Sequence, residues 1–189
     1  MDGIDVKRYK QSELINKIGY VTQKSIMFSG SVRSNVAYGE KDGKKPTEED
    51  IRRAIRIAQA EEFVSEMPSD IDSPIAQGGT NVSGGQKQRL SIARAICRNP
   101  EIYIFDDSFS ALDYKTDRIL RSALKKEMAD ATNFIVAQRI GTIRDADKIV
   151  VLDEGHAVGI GTHDELMKTC EVYRQIAYSQ LSKEELENA

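Results

Sequence analysis

A hydroxyl, two glycines and the start of a long amphipathic helix meet in the stretch Asn81–Leu90, and this stretch constrains the chain most. Ser83 is a favourable helix N-cap, and Gly84 and Gly85 let backbone N–H groups approach a ligand with no Cβ in the way. The helix predicted over residues 85–98 adds the positive potential of its N-terminus. The pattern indicates either a simple capped turn or, in the right context, an anion site that suits a phosphate group.

A short apolar run, Ile102–Phe105, follows this helix beyond Pro100. Such a run is typical of a strand that is covered on both faces of a parallel sheet, and here it places Asp106 and Asp107 at its carboxyl end. Ligands of open α/β sheets bind at that edge. A glycine anion site, a helix and a buried strand that ends in acid together predict a nucleotide-binding α/β protein in which Asp106 holds Mg²⁺.

These features resemble the motifs of the ATP-binding-cassette (ABC) ATPases, and the resemblance extends from Asp2 to Tyr173. Within that family, residues 27–36 resemble the exporter branch. The matching positions are Val82-Ser83-Gly84-Gly85-Gln86 for the signature motif, Ile102–Asp106 for Walker B, Asp107 for the catalytic glutamate, Ser110-Ala111-Leu112-Asp113 for the D-loop, Gln23 for the Q-loop and Gln138 for the switch histidine.

The resemblance implies an α/β fold, namely a P-loop NTPase core that is truncated at its N-terminus and carries an inserted α-helical subdomain. Residues 1–24 and 92–175 would form the core, residues 25–91 the helical subdomain and residues 176–189 a C-terminal tail. The phosphate-loop pattern Gly-x-x-x-x-Gly-Lys-Ser/Thr has no match, because Gly43-Lys44-Lys45 lacks the earlier glycine and the final hydroxyl. We therefore expect the isolated chain to be inactive as an ATPase.

The cofactors that the resemblance implies are ATP and Mg²⁺, and it assigns a role to each candidate residue. The metal ligands would be Asp106 and Gln23, the catalytic residues Asp107 and Gln138, and the nucleotide-binding residues Ser83, Gly84, Gly85, Gln86, Gln23 and Asp113.

Two of these positions depart from the family pattern. Asp107 is one methylene shorter than glutamate, and Gln138 cannot become a cation as histidine can. Loss of a general base typically costs about 10²–10⁴-fold in rate. We therefore expect a degenerate ATP site on this chain, while the intact signature motif completes the ATP site of a non-identical second nucleotide-binding domain.

The expected partners are that second domain and a transmembrane domain, in a multidrug or lipid exporter at the cytoplasmic face of the cell membrane. No apolar run approaches the ~20 residues that span a bilayer. The formal net charge of −3 gives no broad basic field, so we expect no nucleic-acid partner. Two alternatives stay open: a non-catalytic module that dimerises around ATP, and a soluble ABC protein of DNA repair or translation.

Periodicity and capping residues predict further elements. Thr47 and Asp50 should cap a helix over residues 47–60, and Thr162 should cap another. A hairpin is predicted from strands over residues 148–152 and 158–161. A helix over residues 114–128 should expose its charges to solvent and bury Ile119, Leu120, Ala123 and Leu124. The strand Phe134–Ala137 should be buried. The unpaired spacing of Cys97 and Cys170 predicts free thiols.

Overall fold

The computed structural model describes residue 1, residues 3–40 and residues 43–187, with side chains up to residue 180. It has the predicted α/β composition and divides into two compact units, Met1–Val136 and a second unit that begins at Ala137. Within the described residues, no helix is both long and apolar enough to cross a membrane.

Helices and strands are mixed along the first unit, and the second unit contains a short helix, a hairpin and two terminal helices. In chain order they are α1 (Gln11–Lys17), β1 (Ile18–Val21), β2 (Gly30–Ser31), α2 (Val32–Val36), α3 (Glu48–Ile57), α4 (Glu61–Ser65), β3 (Pro74–Ile75), α5 (Gly84–Cys97), β4 (Ile102–Asp106), α6 (Tyr114–Glu127), β5 (Thr132–Val136), α7 (Ile140–Ile143), β6 (Ile149–Asp153), β7 (His156–Gly161), α8 (His163–Thr169) and α9 (Glu171–Glu187), with 3₁₀ turns at Val6–Arg8, Asp70–Asp72 and Gln77–Gly79.

A parallel sheet with the order β1-β4-β5 organises the first unit. The register places Val21 opposite Phe105, so β1 and β4 end at the same edge of the sheet. Helix α5 packs on β1 and against α3. Tyr103 and Phe105 are fully buried, but Ile102 and Ile104 on the other face are only half-buried. The prediction that β4 is covered on both faces is therefore wrong for the described residues, because the helices of this unit enclose one face more than the other.

Two further predictions of burial are wrong. In β5, Phe134 and Val136 are both 56% exposed, because β5 lies at the margin of the sheet and pairs only with β4 among the described residues. In α6, Ile119 is 43% exposed, whereas Asp117 is buried and forms an ion pair with Arg121 at 3.1 Å. A buried carboxylate needs such a partner, and the pair accounts for a charge on the inner side of this helix.

The capping predictions are confirmed. Thr47 and Asp50 form a reciprocal capping box at the start of α3, and Thr162 and Glu165 form another at the start of α8. Each box satisfies two N–H groups that a helix terminus would otherwise leave unpaired.

The predicted hairpin is present as the antiparallel pair β6–β7 in the second unit. Glu154 and Gly155 join its strands with φ angles of 45° and 80°, which is the geometry of a tight two-residue turn. The sequence predicts that His156 belongs to the turn between the strands, but this residue opens β7. His163 is half-buried, with its Nδ1 2.9 Å from the hydroxyl of the buried Tyr173, so it is not the surface residue that its place in a first turn suggests.

Both cysteines are free and buried, as predicted. Burial raises the pKa of the Cys97 thiol to about 12. At about pH 8 only about one Cys97 thiol in 10⁴ is then ionised, and the thiolate is the reactive form. We expect neither thiol to react with an aromatic disulfide reagent in the native chain, and both to react after denaturation. Rapid colour development from the folded protein would contradict this arrangement.

Candidate functional site

Two predicted site residues meet at the carboxyl edge of the sheet. Gln23 follows β1, Asp107 follows β4, and Gln23 Nε2 donates a hydrogen bond to Asp107 Oδ2 at 3.0 Å. The two residues are 84 positions apart in the sequence. The parallel register of the two strands, not local sequence, brings them together.

The backbone of Asp107 is fixed on both sides of its side chain. Its φ of +45° lies in the left-handed region, which Asp tolerates better than most residues. Its N–H donates to the carbonyl of Val136 at 2.9 Å, and its own carbonyl accepts from Ser110 Oγ at 2.8 Å. The half-buried carboxylate is therefore presented from a rigid turn.

Tyr20 contacts the predicted metal ligand and was not foreseen from the sequence. Its hydroxyl donates to Asp106 Oδ2 at 2.8 Å, and this hydrogen bond raises the pKa of Tyr20. The register places Tyr20 opposite Ile104 on β4. Asp106 lies two residues after Ile104, so Tyr20 and Asp106 are on the same face of the sheet. Only the strand pairing discloses this contact, since nothing in the local sequence marks Tyr20.

The N-terminus of α5 has the geometry that its sequence predicts. Ser83 Oγ accepts from the Gln86 N–H at 3.2 Å, and Gln86 Oε1 accepts from the Ser83 N–H at 2.8 Å. This capping box leaves the amides of Gly84 and Gly85 without a partner among the described residues. A Cβ at Gly84 would meet no atom within 4 Å, so open space lies before these donors. Two free amides at a helix N-terminus suit an anion.

Asp113 lies near this helix, but its carboxylate accepts hydrogen bonds from Thr116 of the same chain. It caps α6 by accepting from the Thr116 N–H at 2.9 Å and from Thr116 Oγ1 at 2.6 Å, and these bonds lower the pKa of Asp113. A Cβ at Gly85 would lie 3.5 Å from the carbonyl oxygen of Ala111. The predicted D-loop therefore passes beside the predicted signature motif, where Asp113 stabilises a helix start.

Gln138 belongs to the second unit and is exposed there. Its carbonyl oxygen accepts a hydrogen bond from Gln180 Nε2 at 2.6 Å, which ties the start of this unit to α9. Its catalytic role stays a prediction.

Residues 23–28, here called the junction segment, contact α5 closely, and the sequence does not reveal this contact. Ser25 Oγ donates to Gln88 Oε1, and Arg94 donates to the carbonyl of Ile26 at 3.0 Å. The carbonyl of Met27 also accepts from the Gly78 N–H at 3.2 Å. The one signal in the sequence is that Gln88 interrupts the apolar face of α5.

The donor groups at these places fit the expected cofactors in their chemistry. Carboxylate and carboxamide oxygens, which Asp106, Asp107 and Gln23 provide, are ligands that Mg²⁺ prefers. The open amides of Gly84 and Gly85 fit a phosphate group. Oxygen ligands thus gather at one edge of the sheet and unpaired amides at a separate helix end, and their roles toward Mg²⁺ and phosphate stay predictions.

Comparison with known proteins connects these features. A sequence profile described as ABC transporter matches residues 1–110. An uncharacterized ABC transporter ATP-binding protein of Mycobacterium tuberculosis is 45% identical over 95% of this chain and 31% of its own length. The ATP-dependent lipid A-core flippase of Desulfotalea psychrophila is 43% identical over 89% of this chain and 29% of its own length.

Among solved structures, a bacterial Atm1-family ABC exporter with ATP bound matches with a TM-score of 0.89 and 33% identity, over 95% of this chain and 31% of that one. The chain thus spans 31% or less of the length of these relatives. The match confirms the predicted ABC ATPase fold of the P-loop NTPase class. With the profile covering more than half of its residues, the chain belongs to the ABC transporter family.

Proposed function

We propose that this chain is the nucleotide-binding part of an ABC exporter and that it couples ATP binding and hydrolysis to transport. The observation that carries the proposal is the hydrogen bond between Gln23 and Asp107, which joins the predicted Q-loop and catalytic position at 3.0 Å. The similarity to a lipid A-core flippase and to an ATP-bound exporter supports the same function. MgATP would supply a phosphoryl group and a counter-charge at this edge.

The signature motif would serve the ATP of a second cassette. Gly84 faces open space, and the amides of Gly84 and Gly85 are unpaired among the described residues, which supports contact with a phosphate that another subunit holds. The 189 residues contain no phosphate loop, so the same chain has no predicted grip on the phosphates of its own nucleotide. We therefore assign phosphate contact to the signature face, which is the N-terminus of α5 with Gly84 and Gly85, and we expect no ATP turnover from this chain alone.

The chain's own catalytic positions would form a degenerate site, and the second cassette would be a non-identical subunit. Asp107 is short, its carboxylate already accepts from Gln23, and its backbone is fixed by Val136 and Ser110. These contacts leave little freedom for the carboxylate to reach an attacking water. A partner with its own glutamate and histidine would then carry the faster hydrolysis.

A transmembrane domain would contact the exposed surface of the junction segment, which would place the chain at the cytoplasmic face of the cell membrane. The rings of Phe28 and Tyr38 stack at 4.5 Å, yet are 42% and 54% exposed, and Ile26 beside them is 59% exposed. Exposed apolar groups that cluster in this way are typical of an interaction site. What the exporter transports depends on that partner.

A second candidate function is a non-catalytic module that dimerises around ATP. The contact of Gln23 with Asp107 favours this candidate, because it engages Oδ2 of the carboxylate at the predicted position of the catalytic base. The exporter and the module differ in whether hydrolysis at this chain's own site contributes to turnover.

Calorimetry of MgATP binding tests the proposal. We expect no binding at micromolar affinity by the purified chain, and binding when a second cassette with an intact phosphate loop is present. Gly84→Ala should reduce affinity in the mixture by at least about tenfold, roughly 1.4 kcal/mol, because the added methyl blocks approach to the amides. The same change should preserve or raise the free energy of unfolding by up to about 1 kcal/mol, since alanine is the better helix former.

Ser122→Ala on the exposed face of α6 is the matched control and should change neither quantity. Micromolar binding by the chain alone would contradict the assignment of its phosphate contacts. Unchanged affinity in the Gly84→Ala mixture would contradict the role of the signature face.

A further inference from the structure

Gln88 is a buried polar side chain that makes no contact with the candidate site residues named above. It is only 2% exposed, on a helix whose other buried residues are mostly apolar. Its Oε1 accepts from Ser25 Oγ, while its Nε2 has no hydrogen-bond partner among the described residues. An unsatisfied buried amide is destabilising, so an apolar residue of similar size would stabilise this position better.

The bond from Ser25 to Gln88 connects the two predicted nucleotide contacts of this chain. Gln23, two residues before Ser25, contacts Asp107. Thr22 Oγ1 donates to the carbonyl of Lys24 at 2.9 Å, and this hydrogen bond closes the bend that joins Gln23 to Ser25. Gln88 lies about one helical turn, ~6 Å along the axis, beyond Gly84. A displacement of Gln23 therefore reaches the signature glycines through a short bend and one helical turn.

Arg94 provides a second attachment of the junction segment to the same helix. Its guanidinium donates to the carbonyls of Ile26 and Asn35 at 3.0 and 2.7 Å and to Asn35 Oδ1 at 2.9 Å. Six residues, or ~9 Å of helix, separate this attachment from Gln88. With two attachments, the segment cannot shift along or pivot on α5 without breaking one or both of these hydrogen bonds, so we expect α5 to follow its movement.

We infer that Gln88 is a positioning residue, which through Ser25 makes the placement of Gly84 and Gly85 depend on the contact between Gln23 and Asp107. In this arrangement the state of the chain's own nucleotide edge sets the geometry that the chain offers to the other cassette. This inference rests on the proposed function only in taking the two glycines as nucleotide contacts. The dependence itself is a property of the single chain.

A second route could connect the same two places. Ser110 Oγ donates to the carbonyl of Asp107, and the neighbouring Ala111 carbonyl lies beside Gly85. Ser25→Ala interrupts the route through Gln88, and Ser110→Ala interrupts the route through the D-loop. The two changes are chemically identical and therefore form a matched pair.

The test uses amide proton–nitrogen correlation spectra of the 189-residue chain without nucleotide. Gln23→Ala should shift the amide resonances of Gly84 and Gly85. Ser25→Ala and, separately, Gln88→Met should each reduce that response by more than half, while Ser110→Ala should preserve it. Ser25→Thr, which retains the hydroxyl, should restore it.

Three outcomes would overturn the inference: no response to Gln23→Ala in the parent chain, an equal response in the Ser25→Ala background, or loss of the response in Ser110→Ala alone. Dispersed spectra of each variant separate lost coupling from lost folding, and Ser25→Ala decides the matter if Gln88→Met does not fold. Because no nucleotide or partner takes part, failure of the exporter assignment in calorimetry would leave this result unaffected.

Discussion

Asp107→Glu combined with Gln138→His should raise ATP hydrolysis at the site of Asp107 by about 10²-fold in an assembled exporter whose subunit joins these residues to a phosphate loop. This is the lower end of what a general base contributes. Glutamate extends the carboxylate beyond the position at which Gln23 Nε2 holds it at 3.0 Å. Histidine supplies a group that can carry charge near the γ-phosphate. Phosphate release at saturating MgATP, with the partner's catalytic glutamate replaced by glutamine, reports this site alone.

Asp107→Asn with Gln138→His is the matched control, because it preserves the shape of the side chain and removes the carboxylate. It should give no increase in phosphate release. Adding Asp106→Asn to the activated pair should abolish the gain, since the proposed Mg²⁺ ligand is then lost. If the activated pair hydrolyses ATP no faster than the parent, the roles assigned to Asp107 and Gln138 are wrong.

The gain in rate should carry a cost in stability. The φ of +45° at Asp107 disfavours a residue with a longer side chain, by up to about 1–2 kcal/mol. Asparagine tolerates this conformation as aspartate does. In urea denaturation, the variant with Asp107→Glu should therefore be less stable than the variant with Asp107→Asn, although it is the more active of the two. An active but less stable variant is consistent with a site whose strained backbone suits the shorter acid.

Arg94→Met should lower the free energy of unfolding by about 3 kcal/mol, within the range for loss of a partly buried network of charged hydrogen bonds. The guanidinium donates to Asn35 and Ile26 and lies 5.1 Å from the centroid of the Phe28 ring. Burial lowers the pKa of Arg94, a sign that the charge lies in a poorly solvated place. Methionine fills much of the volume but leaves the carbonyl oxygens without donors.

Urea titration of the purified chain measures this loss. Arg94→Lys should recover part of it, because an ammonium can donate to one or two of the acceptors but cannot match the planar fork. Arg56→Met on the exposed side of α3 is the control and should change stability by no more than about 0.5 kcal/mol. A loss at Arg94 no larger than that at Arg56 would contradict the importance of these contacts.

The sequence disclosed what depends on neighbours close in the chain. The capping boxes that begin at Thr47, Ser83 and Thr162 follow from residue types three positions apart, and the hairpin β6–β7 follows from alternation around a turn. The resemblance to ABC ATPases added the places of Gln23 and Asp107, although not their contact.

Contacts between distant positions were beyond the sequence. The partners of Gln88 and Arg94 lie 63 and 59 to 68 positions away, so neither side chain has a local signal that reveals its role. Burial was likewise misjudged where it depends on what covers a surface. Phe134 belongs to an apolar run and is therefore expected in the core, yet it is exposed because β5 lies at the margin of its sheet.

The capping box at Ser83 has an energetic consequence for recognition. Because Ser83 and Gln86 satisfy each other, the backbone that presents Gly84 and Gly85 is ordered before any ligand arrives. Ordering two glycines on binding would otherwise cost about 1–2 kcal/mol per residue. Folding has already met that entropic cost, so the helix end would be preorganised for the proposed phosphate contact. In that role the side chains of Ser83 and Gln86 would act chiefly by holding two peptide groups in place.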